Sequence, residues 1–184
     1  MGNLLEYAIL GLLMEGKLSG YDIKKTMDSS VGLFYRASYG SLYPALKRMA
    51  ERGWLSVEEL ASSKNKKLYA MLPEGEAAFK AWLAEPLQMS RSELLIKIFF
   101  YDYLDEETRQ SNLAEYQQKL AVERGRLAAV EGIVSKELAA LPNPRDYYYR
   151  VSVLSYGIDY FEMEQQWIRS IKEGMNRHDK STNA

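Results

Sequence analysis

Apolar residues along positions 4–14 fall at helical spacing, with Leu4, Ala8, Ile9, Leu12 and Leu13 forming a strongly hydrophobic first segment. "GKLSG" breaks it. Ser19 then suits the N-cap of a second helix through "GYDIKKTM", where Ile23 and Met27 share a face. After the loop "SSVGLFYRAS", the stretch "SYGSLYPALKRMAERG" carries Leu42, Leu46 and Met49 as one buried stripe, with Gly53 placed to end a third helix. "WLSVEEL" and "KKLYAML" alternate as short strands, parted by polar "ASSKN". Pro73 and Pro86 bound a fourth helix. Three helices and a hairpin in this order predict a winged helix-turn-helix domain over residues 1–86.

The second half reads as helix almost throughout, so the fold class expected is mainly α. Residues 91–103 hold a short amphipathic piece with Leu94, Leu95, Ile98 and Phe99. From Asp105 to about Leu141, apolar residues recur in steps of three or four, as in a coiled-coil seam, and Glu123 interrupts them. "LPNP" enforces a turn, and a last helix is expected over roughly 146–175. One of its faces carries Val151, Leu154, Ile158, Phe161 and Ile168; another carries Tyr156, Tyr160, Met163, Trp167 and Ile171. The helix before it can cover only one of them. A second copy of the chain would cover the other as a two-fold homodimer, and an intramolecular three-helix pack is the alternative. Residues 87–177 are thus expected to form a helical dimerisation domain, with 178–184 a flexible tail.

The front of the third helix does not fit a buried stripe. Pro44 is most at ease in a first helical turn, which places the start near Gly40 or Ser41, with Ser41 as N-cap. Ser38, Tyr39, Ser41 and Tyr43 then cluster around an N-terminus whose free N–H groups suit phosphate, and hydroxyls hydrogen-bond phosphates and base edges. One turn on, Lys47 and Arg48 lie off the stripe and can reach a sugar-phosphate backbone. In a helix-turn-helix the N-terminal part of the second helix enters the major groove. Lys64, Lys66 and Lys67 crowd the hairpin tip, where a wing meets adjacent phosphates.

Composition mainly excludes. Of 184 residues, 47% are hydrophobic and 27% charged, proportions of a globular protein. With no cysteine, disulfides and thiolate metal sites are ruled out. The apolar run at the start lacks a basic n-region and ends at Lys17, short of a membrane span, so a cytoplasmic location and no membrane partner are expected. Residues 1–73 carry 10 Lys and Arg against 7 Asp and Glu, and residues 74–184 carry 14 against 18. A basic front half fits an anionic partner. The sole histidine, His178, lies in the polar tail, and no nucleophile–base pair, phosphate loop or metal-ligand spacing is present. Neither catalysis nor a cofactor is expected.

"YAILGLLMEGKLSGYDI", "FYRASYGSLYPALKRMAERGWL", the basic hairpin and "LPEGEAAFKAWL" together closely resemble the PadR family of bacterial transcriptional regulators. The S-x-x-S-L-Y-P-A-L-x-R core and "LSGYDI" upstream are its most specific parts, and the resemblance runs over essentially the whole chain. It implies a homodimeric winged-helix repressor of a roughly palindromic double-stranded DNA operator. It also implies DNA contacts from Ser38, Tyr39, Ser41, Tyr43, Pro44 and Lys47, with Tyr21 near the start of the preceding helix. The tip "ASSKNKK" lacks the Gly/Arg/Pro-rich sequence common in relatives, so the resemblance carries over the wing's phosphate contacts and leaves its minor-groove contacts open.

Some relatives respond to aromatic compounds. Tyr7, Tyr156, Tyr160 and Trp167 are the candidates to line a pocket for a small aromatic effector at the dimer interface, and core or interface packing is the alternative. Two other functions stay open: a small-molecule sensor with weak DNA binding, and a pure oligomerisation protein.

Overall fold

The computed structural model describes residues 3–35, 38–59 and 67–182, the side chains of Tyr39 and of residues 175–182 excepted. The chain forms two compact units, Met1–Arg109 and Gln110–Ala184.

The first unit contains α1 (Leu4–Leu13), α2 (Gly20–Ser29), α3 (Tyr39–Glu51), α4 (Pro73–Ala84) and α5 (Arg91–Phe99), with strands β1 (Leu18–Ser19), β2 (Leu55–Glu59) and β3 (Lys67–Met71). This is the expected winged helix-turn-helix order. The two-stranded hairpin, however, gains a third strand: the antiparallel sheet runs β1–β3–β2, with Leu18 opposite Tyr69 and Ser19 opposite Leu68. Ser19 does both jobs because an N-cap residue is extended, here at φ −78° and ψ 161°. Its side chain accepts from the Asp22 N–H while its backbone lies along the edge of β3.

α1 is apolar but for Glu6, is buried on every side and forms the centre of this unit, Ala8, Ile9 and Leu10 being fully buried. α2, α3 and α4 pack against it, and Ile23 and Met27 of α2, Leu42, Leu46 and Met49 of α3 and Phe79 of α4 are fully buried. The compact unit continues past the boundary expected at residue 86, and Gly11 supplies the reason. A Cβ there would lie 2.5 Å from the Phe100 ring, so the residues after α5 close directly on α1. The buried positions of α5 are Leu94, Ile96 and Lys97, whereas Phe99 is exposed, against expectation. Lys97 is fully buried. Its ammonium donates to the Glu85 carbonyl at 3.1 Å, faces Glu93 at 3.5 Å and lies 5.0 Å over the Trp82 ring.

The second unit is built on α6 (Glu106–Ala139) and α7 (Tyr148–Thr182). Asp105 starts α6 by accepting from the Thr108 N–H at 2.8 Å, which holds its carboxyl below the usual range. α7 runs on through Thr182, beyond the end expected near residue 175. Leu113, Tyr116 and Leu120 of α6 and Ile168 of α7 are buried in this unit. Gly157 allows close helix contact, since a Cβ there would lie 2.9 Å from Leu127. Between the helices, Glu164 is buried and accepts from the Tyr116 hydroxyl at 3.1 Å and the Tyr160 hydroxyl at 3.0 Å. Burial, with Glu164 beside it, pushes the Tyr116 phenol far above its ordinary value.

Candidate nucleic-acid interface

α3 begins one turn earlier than its proline suggests. Ser38, not Ser41, is the N-cap: it is extended, and its hydroxyl accepts from the Ser41 N–H at 3.2 Å. Ser41 donates its own hydroxyl to the Ser38 carbonyl at 2.9 Å, so the two serines knit the tip together and remain exposed. Pro44 therefore lies inside the helix, in its second turn. Its missing N–H deprives the Gly40 carbonyl of the usual helical donor. The cost is borne by Leu42, Ala45, Leu46 and Met49, all fully buried, at about 1.5–3 kcal/mol for each of the larger side chains.

At about 100° per residue, this buried stripe fixes what faces outward. Gly40, Pro44, Lys47 and Glu51 lie opposite it, and all four are exposed. Lys47 is 79% exposed, with Glu51 3.8 Å away as a loose partner. Tyr43 lies at one edge of the stripe, half exposed, seated on the start of α2. A Cβ on Gly20 would come within 2.8 Å of its ring, which explains the glycine in "LSGYDI". The neighbouring Tyr21 is 63% exposed. Burial raises the Tyr69 phenol, and both Lys67 and Tyr43 are close enough to bear on it. The start of α2, the tip of α3 and the foot of β3 thus share one side of the unit.

Of the residues expected to meet DNA, Tyr21, Ser38, Ser41, Tyr43, Pro44 and Lys47 are all exposed. For Tyr39 the backbone alone is described, at the first position of α3. Lys64 and Lys66 lie outside the described residues. Lys67 stands at the loop end of the hairpin, opposite Glu59, where its ammonium pairs with that carboxylate at 2.9 Å and is raised above its ordinary value by it. Arg48 differs from expectation. Its guanidinium turns to α1 and binds the buried Glu6 at 3.0 Å, and Arg52 binds the same carboxylate at 2.8 Å. Sequence reasoning passed over Glu6, although an acid inside an otherwise apolar first helix is a visible signal.

The expected effector residues part company. Tyr7 is buried in the first unit, its ring stacked on Trp82 at 4.4 Å and 3°, and is core. In the second unit Tyr156 is exposed, while Tyr160 and Trp167 are half-buried. Tyr156 lines a groove of about 560 Å³ with Tyr148, Val151 and Ser152. A neighbouring cavity of about 610 Å³ is lined by Val130, Val134, Leu138, Leu141 and Leu154, together with Glu137, Tyr147 and Arg150. Among the described residues no cluster of three or more His, Asp or Glu could hold a metal, and no helix is long and apolar enough to cross a membrane.

Comparison with known proteins gives a consistent result. Residues 9–81 match the model of the transcriptional regulator PadR-like family, and residues 90–176 match the model described as virulence activator alpha C-term. Over 143 residues, 75% of this chain and 77% of the relative, the chain is 29% identical to the negative transcriptional regulator PadR of Bacillus subtilis. An 89-residue stretch, 47% of either chain, is 34% identical to a probable transcriptional regulator of Mycobacterium tuberculosis. The crystal structure of Bacillus subtilis PadR in complex with operator DNA is 27% identical, covering 92% of this chain and 97% of that one at a TM-score of 0.44. The same protein in complex with p-coumaric acid is 26% identical over 95% and 99%, at a TM-score of 0.43.

Proposed function

The chain belongs to the PadR-like family of transcriptional regulators, and from that premise we propose that it is a homodimeric repressor whose α3 reads an operator in the major groove. The observation that carries this reading is the tip of α3. Hydroxyls of Ser38, Ser41 and Tyr43 are displayed there, and the fully buried stripe behind them turns Lys47 outward. Hydroxyls accept from and donate to base edges and phosphates, and Lys47 adds a phosphate contact. Repression is supported by the name of the Bacillus subtilis relative, a negative regulator.

Dimerisation is supported by the apolar surface left open on the second unit. Val153, Tyr156 and Met163 are each more than half exposed along α7, and Val122 and Ile133 along α6. A second copy covering this surface presents two α3 tips to a duplex, the arrangement that a palindromic operator requires. The cavity lined by Arg150 is where an aromatic effector bearing a carboxylate would fit, the guanidinium binding the acid against the competing Glu137 carboxylate and the aliphatic wall holding the ring.

A mobility-shift titration against the chain's own promoter region at two salt concentrations tests the main claim. A saturable complex that survives excess unrelated duplex is expected. Equal binding to every sequence, or none, defeats it. Met163→Glu is expected to give a folded monomer in sedimentation; an unchanged dimer defeats the proposed interface.

A further inference from the structure

Glu6, the acid in the first turn of α1, is 1% exposed among apolar neighbours. A carboxylate so placed needs partners for both oxygens. Its Oε1 accepts from Arg48 Nε at 3.0 Å, with Arg48 Nη2 also at 3.0 Å. Its Oε2 accepts from Arg52 Nη1 at 2.8 Å and from the Asn3 backbone N–H at 3.3 Å. The Arg52 guanidinium also lies 5.2 Å over the Trp54 ring. An exposed glutamate would close the α1 capping box equally well, so the burial of Glu6 serves the two arginines.

Those arginines are notable for where they stand. Ser41, Arg48 and Arg52, the C-cap residue of α3, fall within about 20° of one line along the helix, and that line starts at the tip. Arg48 and Arg52 keep 43% and 40% side-chain exposure, so a nearby anion could still reach them, and Glu6 competes with it. Phosphate contacts strengthen binding to every duplex alike and carry no sequence information. We propose that Glu6 is a positioning residue for specificity: acting through Arg48 and Arg52, it holds two cations of α3 off the phosphate backbone and so keeps non-specific binding weak. The inference rests on the DNA-reading role of α3.

The test is an anisotropy titration over a salt series with two fluorescent duplexes, one of unrelated sequence and one enriched by the wild-type protein from a randomised pool. Glu6→Gln steepens the salt slope on the unrelated duplex by about 0.9 for each arginine released, and narrows the preference for the enriched one. Arg48→Gln leaves the wild-type slope unchanged, and it carries the test if Glu6→Gln does not fold. Replacing Arg48 and Arg52 as well returns the Glu6→Gln slope to the wild-type value. A Glu6→Gln protein that weakens on both duplexes in parallel, as a merely structural role predicts, overturns the inference. So does an Arg48→Gln slope lower by about one, since Arg48 would then already meet a phosphate. A wild type with no sequence preference defeats the α3 reading instead, while the slopes on the unrelated duplex still decide this one.

Discussion

Tyr116→Phe tests how the second unit is held together. The substitution keeps a fully buried ring and removes only the hydroxyl, which donates to Glu164 across 3.1 Å from α6 to α7. Glu164 is 5% exposed, so water does not readily replace the lost donor, and Tyr160 remains as the other hydroxyl on that carboxylate. A hydrogen bond to a charged group contributes about 1.5–3 kcal/mol, and a buried acceptor left short of a donor costs about the same. A loss of about 2 kcal/mol is expected, which for a chain of this size lowers Tm by about 4–8 °C. The assay is a double-mutant cycle with Glu164→Leu, read by thermal unfolding at fixed protein concentration because the Tm of the proposed dimer would depend on it. Once the carboxylate is gone, Tyr116→Phe should be close to neutral. Equal losses in both backgrounds would refute the reasoning, because the hydroxyl would then act through something other than Glu164.

Lys47→Ala should leave Tm within about 1 °C, its pair with Glu51 being long and exposed, while the salt slope of DNA binding falls by about 0.9; anisotropy titration and thermal unfolding check the two halves. Ser38→Ala should cost about 1 kcal/mol through loss of the α3 N-cap, measured by chemical denaturation. The buried Tyr116 phenol binds its proton more tightly folded than unfolded, so its contribution is complete below pH 10 and is lost as pH rises beyond. Wild type should therefore lose stability above pH 10 more steeply than Tyr116→Phe, followed by circular dichroism against pH.

The order of elements was legible because it rests on local chemistry. Ser19 caps α2, Pro73 opens α4 and Gly53, at φ 74°, closes α3, as their residue types demand. What the sequence hid depends on tertiary partners. Pro44 by itself prefers a first helical turn, and the packing of Leu42 and Leu46 overrides that preference, carrying the helix start back to Tyr39 with Ser38 as its cap. Arg48 reads as a free cation because Glu6 lies far from it along the chain. Lys97 reads as a surface residue, yet the Glu85 carbonyl, Glu93 and the Trp82 face make a buried position tolerable for it. Tyr7 offers no local sign that its ring stacks on Trp82. The exposed tip was readable for the opposite reason: hydroxyls ahead of a hydrophobic stripe have no place in a core.

The third strand has a mechanical consequence. Ser19 caps α2 with its side chain and pairs with Leu68 through its backbone, and Tyr43 of α3 rests on the glycine that follows. The start of β3 and the front of α3 are thereby geared through one dipeptide. Neither can swing to accommodate a badly spaced groove without dragging the other. If α3 reads an operator as proposed, mismatch must therefore be absorbed by bending of the duplex, and stiff operators should be penalised even where every contacted base is right.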